Sequence, residues 1–154
     1  MDSTSGHKLL TFIDAFSRYN QIKMVEEDQK KTTFTTSQGL YCYKVMPFGL
    51  KNIRATYQRL VNKMFSKQTR RNMEVCVDDM FVKSKEECAH LDHLQETFTT
   101  LKQYQMKLNS SECTFGVASG KFLGFMVSER GIEANPEKVR AILDMTLPKT
   151  VKEG

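Results

Sequence analysis

The sequence predicts an α+β domain in which helices cover one face of an antiparallel sheet. Short β-prone segments recur as hairpin-like pairs, and two longer segments between them carry apolar residues at steps of three and four. Hairpins that alternate with helices are typical of antiparallel sheets with one covered face. The length of 154 residues is that of one ordinary domain.

The N-terminal third predicts a strand and a hairpin. Leu9–Ile13 is a short apolar run that ends on Asp14, as a strand buried on both faces would. A Thr-rich arm over residues 28–36, a turn at 37–39 and a returning arm over 40–45 predict the hairpin.

Two helices and a second hairpin are predicted in the middle of the chain. Asn52 can cap a helix whose apolar residues fall at i, i+3, i+4 and i+7. Residues 73–82 predict two strands with Asp78 and Asp79 at their tip. The capping-box signature at residues 84–87 predicts the start of a long amphipathic helix.

The C-terminal part predicts strands and a final helix. Residues 113–116 and 121–127 are expected to be strands on either side of Ser119-Gly120. The helix is expected over residues 137–145, after Asn135-Pro136.

Composition favours a packed domain and leaves its partner open. With 40% hydrophobic residues, no run long enough to span a bilayer and no apolar leader, we expect a soluble intracellular protein, cytoplasmic or nuclear and not secreted. The cysteine spacing matches no zinc motif, so reduced thiols are expected. A net charge of +5 favours nucleic acid as partner, although a solvated basic surface accounts for it equally well.

Three aspartates are candidate metal ligands. Asp14 ends the first strand, while Asp78 and Asp79 occupy the tip of the second hairpin, so one sheet could bring the three carboxylates together. Hard divalent cations relieve the repulsion among such carboxylates, and a pair of Mg²⁺ ions supports phosphoryl transfer. The alternative is that these aspartates only cap turns.

Two histidines of the long helix, His90 and His93, form a weaker candidate. Their i, i+3 spacing could place both on one metal. An exposed polar helix face is the more ordinary interpretation, since no fourth ligand is evident in the sequence.

Five segments in order carry a resemblance to a known family. Together they resemble the reverse transcriptase of gypsy-like LTR retrotransposons, the plant type especially, from about Leu9 to the end of the chain. The segments are Phe12–Ile22, Lys31–Phe34, Tyr41–Asn52, Cys76–Asp79 and Phe122–Gly124.

The resemblance implies a fold, a domain organisation and an activity. The fold would be a polymerase palm with a ferredoxin-like antiparallel sheet and part of the fingers over residues 1–130, followed by the start of the thumb or connection over 131–154. The activity would be that of an RNA-directed DNA polymerase fragment of a Pol polyprotein, which adds dNTPs to a primer by two-metal phosphoryl transfer. The alternative is a catalytically inactive palm-like remnant that binds nucleic acid weakly or not at all.

The resemblance also implies roles for individual residues. Asp14, Asp78 and Asp79 would be catalytic and would bind two Mg²⁺ ions, with Mn²⁺ as a substitute. The expected partners are an RNA or DNA template with its primer and a dNTP, and no membrane. The residues expected to bind the nucleotide are Ala15, Phe16, Tyr19, Phe48 and Gly49, and those expected to bind the primer are Phe122, Leu123 and Gly124.

Several positions depart from the family pattern. Arg18 stands where Gly is usual, and its guanidinium would either intrude beside the nucleotide or pair with a phosphate. Ile53 and Arg54 are bulkier than the residues common there, and Cys76 replaces an aromatic residue before the acidic pair.

Overall fold

The computed structural model describes residues 4–77 and 79–145, in which the chain forms nine β-strands and four α-helices. The helices are α1 (Glu26–Lys30), α2 (Ile53–Met64), α3 (Glu87–Gln103) and α4 (Pro136–Leu143). The strands are β1 (Leu9–Ile13), β2 (Phe34–Thr36), β3 (Gly39–Tyr41), β4 (Met73–Cys76), β5 (Asp79–Ser84), β6 (Thr114–Val117), β7 (Ser119–Phe122), β8 (Phe125–Ser128) and β9 (Gly131–Ala134).

The central sheet has the strand order β4-β5-β1-β6, and its pairs are antiparallel. β1 therefore lies between two strands that follow it much later in the sequence. Leu9 pairs with Ser84 and Ile13 pairs with Met80, so the C-terminal end of β1 lies beside the N-terminal end of β5. This register decides which side chains meet at that end of the sheet.

Helices α2 and α3 form the main core with the central sheet. α3 contacts β5 and α2 contacts β4. Tyr57 and Val61 of α2, Phe65 just after it and Leu101 of α3 are buried against Val82 of β5. On α2 the buried Tyr57, Val61 and Met64 follow the predicted periodicity, which is confirmed. The predicted helix α3 is confirmed, but its apolar periodicity is wrong as a guide to burial, because Leu101 is buried whereas Leu91 and Phe98 are 71% and 38% exposed.

Two smaller sheets flank the central one in the described residues. β2 and β3 form an exposed hairpin, and β7, β8 and β9 form a three-stranded sheet. The three-stranded sheet packs against the central sheet through a second apolar cluster. Leu10, Phe81 and Val127 are buried in this cluster, and Phe12 and Phe122 pack against them. The predicted α+β class is confirmed.

Several local predictions were wrong. The returning arm ends at Tyr41 instead of residue 45, and Ser119-Gly120 belong to β7 instead of separating two strands. Residues 28–30, expected to open a strand, belong to α1, where three acidic residues in the first turn favour the helix N-terminus. Ser84 does not open a capping box, because it ends β5 and α3 begins at Glu87 after Glu86. Residues 121–127 are two strands rather than one, separated by a turn at Leu123 and Gly124, both with positive φ.

The final helix is confirmed, with Asn135 as its N-cap: its Oδ1 accepts a hydrogen bond from the Glu137 N–H at 3.0 Å. The expected thumb or connection segment extends past Met145, and residues 146–154 lie outside the described part. The domain boundary near residue 130 and the intracellular location stay predictions. Within the described ranges, no helix is both long and apolar enough to cross a bilayer.

Candidate active site

Asp14 and Asp79 meet at one end of the central sheet. Because Ile13 pairs with Met80, Asp14 follows that pair on β1 and Asp79 precedes it on β5. Both line a cavity of about 200 Å³, together with Glu112 and Lys121. Two of the three carboxylates expected to converge therefore do so, although they are far apart in the sequence.

The hairpin that carries Asp79 is held by α2. Cys76 pairs with Asp79 across the hairpin, and the third predicted carboxylate, Asp78, lies outside the described residues. Val77 has a φ of +50°, a left-handed conformation that is rare for a β-branched residue. Its N–H donates to Oε1 of Gln58 on α2, so the helix fixes this strained position. Nothing in the local sequence pointed to Gln58.

The turn between β7 and β8 contacts the same carboxylate. The Leu123 N–H donates to Oδ2 of Asp79 at 3.0 Å. Leu123 and Gly124 have φ values of +51° and +80°, the two-residue turn that suits the twist of a hairpin. Phe122 anchors the turn, since its ring lies edge-to-face on Phe81 with 4.6 Å between centroids. The residues predicted to bind the primer thus include one that contacts a predicted catalytic residue.

On the other side of the cavity, Lys121 forms an ion pair with Glu137. Lys121 of β7 lines the cavity, and its Nζ lies 2.7 Å from Oε2 of Glu137 on α4. The hydrogen bond from Lys121 and its positive charge lower the pKa of Glu137. The cavity therefore has acidic residues on the central sheet and a cation on the flanking sheet.

Asp14 itself is surrounded by groups that sequence reasoning missed. The Arg18 guanidinium donates to Oδ1 of Asp14, an arrangement that neither expectation for Arg18 included. The Asp14 N–H donates to Sγ of Cys113 at 3.3 Å, and the Asp14 carbonyl accepts from the Asn109 N–H at 2.9 Å. The spacing of four residues between Asp14 and Arg18 was the one available signal.

A second cavity, of about 440 Å³, adjoins the first. Asp14 and Arg18 line both cavities. Tyr19 is buried and lies edge-to-face with Phe48 at 5.2 Å and with Tyr57 at 5.5 Å. Tyr57 is fully buried and supports the Tyr19 ring from the core, whereas Phe48 is 73% exposed. The residues predicted to bind the nucleotide that line this second cavity are Ala15, Tyr19, Phe48 and Gly49.

The remaining predicted and divergent residues are also accounted for. Phe16 is 54% exposed and lies beyond the lining of the second cavity. Arg54 and Ile53 both line that cavity, and Ile53 is also buried in the main core. Cys76 is half-buried in β4 beside Asp79.

The donor set at the sheet end suits hard divalent cations. Carboxylate oxygens are the ligands that Mg²⁺ and Mn²⁺ prefer, and Asp14 and Asp79 both border the first cavity. Among residues 4–77 and 79–145, no three His, Cys, Asp or Glu side chains form a metal-binding group. Asp78 is the predicted third ligand.

Comparison with known proteins decides the family. A family model described as "Reverse transcriptase (RNA-dependent DNA polymerase)" matches residues 1–127, most of the chain. The chain belongs to the reverse transcriptase family. Members of this family generally depend on divalent metal ions.

Relatives of the chain include polyproteins of LTR transposons. It is 38% identical over 143 residues to the Pol polyprotein of transposon 297 from Drosophila melanogaster, covering 93% of the chain and 14% of that protein. It is 33% identical over 144 residues to that of transposon gypsy from the same fly, covering 94% and 14%. The chain thus spans about one seventh of these relatives, and the predicted gypsy-like character is confirmed, while the plant type stays a prediction.

Solved reverse transcriptases share the fold of the chain. A foamy viral protease-reverse transcriptase in complex with double-stranded DNA superposes with a TM-score of 0.86 at 22% identity, covering 96% of this chain and 26% of that one. The same viral enzyme in complex with an RNA/DNA hybrid gives a TM-score of 0.84, covering 97% and 20%. The predicted palm with partial fingers is therefore confirmed as the fold.

A chain of polar side chains links β1 and β5 to α3. Thr11 Oγ1 and His90 Nε2 are hydrogen-bonded at 2.7 Å, His90 Nδ1 and Ser84 Oγ at 2.8 Å, and Ser84 Oγ and His93 Nδ1 at 2.8 Å. Burial lowers the pKa of His90, helped by His93, and burial followed by the charge of Arg71 lowers that of His93. The expected exposed polar face is therefore wrong for His90.

Proposed function

We propose that the chain is the catalytic palm of an RNA-directed DNA polymerase of a gypsy-like retroelement, which adds dNTPs to a primer. One observation carries the proposal: Asp14 and Asp79 line one cavity at the end of the central sheet, beside a second cavity walled by aromatic rings. A polymerase requires this combination of acidic residues and a nucleotide-sized recess in one place.

Asp14, Asp78 and Asp79 would hold two divalent cations, Mg²⁺ with Mn²⁺ as a substitute. The fit is one of chemistry, because the two described carboxylates supply hard oxygen donors to a shared cavity. Bound cations would supply charge neutralisation at the attacking and leaving oxygens of the transfer. The Leu123 N–H orients Asp79 toward this task through its bond to Oδ2.

The second cavity is proposed to receive the dNTP. Tyr19 would lie against the sugar and exclude a 2′-hydroxyl, because its ring is buried and packs edge-to-face on the fully buried ring of Tyr57. Ala15 and Gly49 leave space along the cavity wall, and a Cβ added to Gly49 would meet nothing within 4 Å. The position of Phe16 makes it a candidate for contact with nucleic acid outside the cavity.

The primer terminus is proposed to lie against the Phe122–Gly124 turn. That turn contacts Asp79, so a primer end held there would be next to the catalytic carboxylates. The net charge of +5 favours a template–primer duplex as the partner. The complexes of the foamy viral enzyme with double-stranded DNA and with an RNA/DNA hybrid support the same class of partner.

Primer extension tests the proposal. The purified chain is given an RNA template with a DNA primer, dNTPs and Mg²⁺ or Mn²⁺, and single-nucleotide incorporation is measured. Asp79→Asn should lower incorporation roughly 1,000-fold, since several kcal/mol of stabilisation depends on the ligands. The matched control Asp144→Asn, on an exposed aspartate at the end of α4, should leave it unchanged.

The outcomes separate the two functional hypotheses. Incorporation by Asp79→Asn at the parent rate refutes the catalytic assignment. Duplex binding without incorporation by the parent chain favours the inactive palm-like remnant. Sugar selection is tested separately, because Tyr19→Ala should raise the ratio of ribonucleotide to deoxyribonucleotide incorporation, whereas Tyr19→Phe keeps the ring and should not.

A further inference from the structure

The predicted metal ligand Asp14 already has a cation beside it. The Arg18 guanidinium donates to Oδ1 of Asp14, and the side chains are 29% and 20% exposed, respectively. A guanidinium does not lose its charge at any pH that a protein tolerates. Arg18 therefore presents a permanent positive charge to the carboxylate in a partly desolvated setting, where such a pair is screened less than on the surface.

The backbone builds this contact. Ser17 has a φ of +46° and begins a 3₁₀ turn over Arg18–Gln21, which directs the chain back toward Asp14. The segment before the turn is fixed by backbone hydrogen bonds to a distant loop: the Phe16 N–H donates to the Lys107 carbonyl at 3.0 Å. The side chain of Gln21 bonds to the same loop, accepting from the Lys107 N–H at 2.7 Å. Arg18 is thus held at the site by the fold of the turn.

A guanidinium and a divalent cation compete for one carboxylate. Asp14 can accept several hydrogen bonds, but a cation that approaches Oδ1 meets both the occupied lone pairs and the repulsion of the positive charge. We propose that Arg18 is an internal competitor of the divalent cation at Asp14, so that metal binding requires the guanidinium to leave. This inference rests on the metal site of the proposed function.

The second cavity gives the displaced guanidinium a place to go. Arg18 lines that cavity as well as the first, with Tyr19 and Phe48 on its wall. A rotation of the side chain away from Asp14 therefore keeps it at the border of the two cavities. The affinity of this site for a metal ion is then set by the difference in free energy between the two positions of the Arg18 side chain. This affinity is lower than it would be with a neutral residue at position 18.

Manganese binding tests the inference without any requirement for polymerase activity. Mn²⁺ is titrated into the purified chain and the free ion is followed by electron paramagnetic resonance. Arg18→Gln should lower the Kd for Mn²⁺ about tenfold, which corresponds to about 1.4 kcal/mol, and Arg18→Lys should remain close to the parent. The matched control Arg59→Gln removes the same charge from an exposed position of α2 and should leave the Kd within about twofold of the parent.

The possible results are distinguishable. An Arg18→Gln protein that binds Mn²⁺ no more tightly than the parent overturns the inference, whether both bind or neither does. An equal gain in Arg59→Gln overturns it too, because the effect would then be one of net charge. Asp14→Asn tests the proposed function instead: if it binds Mn²⁺ as well as the parent does, the metal site is wrong. Circular dichroism of each variant verifies that the fold is retained.

Discussion

Replacing Gly120 with alanine should weaken the packing of the β7-β8-β9 sheet against the central sheet. A Cβ at residue 120 would lie 2.6 Å from Cζ and 2.8 Å from Cδ2 of Phe12. Ordinary carbon contacts begin near 3.4 Å, so either the ring or strand β7 must move. The ring is restrained by Phe81, with 5.5 Å between centroids, and Phe81 in turn by Phe122.

The expected cost follows from these contacts. Overpacking of a formed core costs about 1–3 kcal/mol, and part of the aromatic contact between Phe12 and Phe81, worth about 0.5–1.5 kcal/mol, is lost as well. We expect Gly120→Ala to lower the free energy of unfolding by about 2–3 kcal/mol, which for a chain of this size lowers Tm by roughly 5–10 °C. Urea denaturation followed by circular dichroism measures it.

A double-mutant cycle isolates the clash. Phe12→Leu shortens the side chain that the new methyl group meets, so Gly120→Ala should cost much less in that background. The reasoning is refuted if Gly120→Ala changes the stability by less than about 0.5 kcal/mol, or if its cost is the same with Leu at residue 12. If the packing of this sheet shifts as argued, the variant should also lower primer extension, because β7 leads into the turn that bonds Asp79.

Three further perturbations test the interior. Acidification from about pH 7.5 to about 5.5 should destabilise the fold, because the pKa values of His90 and His93 are lowered in it, so these histidines take up protons at a higher pH in the unfolded chain than in the folded chain. Equal urea midpoints at the two pH values would contradict this. Lys83→Met should lower the free energy of unfolding by about 3 kcal/mol, because Lys83 is 2% exposed and its Nζ lies 2.7 Å from Oε1 of Glu74. Adding Glu74→Leu should restore most of this stability, as measured by urea denaturation. Asn135→Ala should lower the free energy of unfolding by about 1 kcal/mol, because the N-cap hydrogen bond of α4 is lost. Asn135→Ser keeps a capping side chain and should leave the stability close to that of the parent, and thermal melts measure both variants.

Local pattern predicted much of the fold. The apolar run over Leu9–Ile13 and the periodicities of α2 and α3 are properties of neighbouring residues, and each produced the expected element. The meeting of Asp14 and Asp79 followed from their positions at strand ends. The catalytic, nucleotide and primer roles of the residues that line the two cavities stay predictions.

The errors arose where distant groups decide local structure. Ser84 has the sequence of a helix cap, but its hydroxyl bonds both His90 and His93, so the residue stays in the sheet. Gly124 marked a possible turn, yet the apolar residues around it hid the turn from periodicity. The contact of Arg18 with Asp14 depends on a left-handed residue, Ser17, that no composition rule selects.

The position of β1 within the central sheet has a consequence for biosynthesis. This strand is synthesised before both of its neighbours, because β5 and β6 are completed only at residues 84 and 117. A nascent chain therefore carries an apolar strand with both edges unpaired until residue 84 has been synthesised and with one edge unpaired until residue 117. Unpaired edges are prone to association with other chains. Protection by a chaperone would matter most before residue 84 has emerged, while both edges of β1 are unpaired.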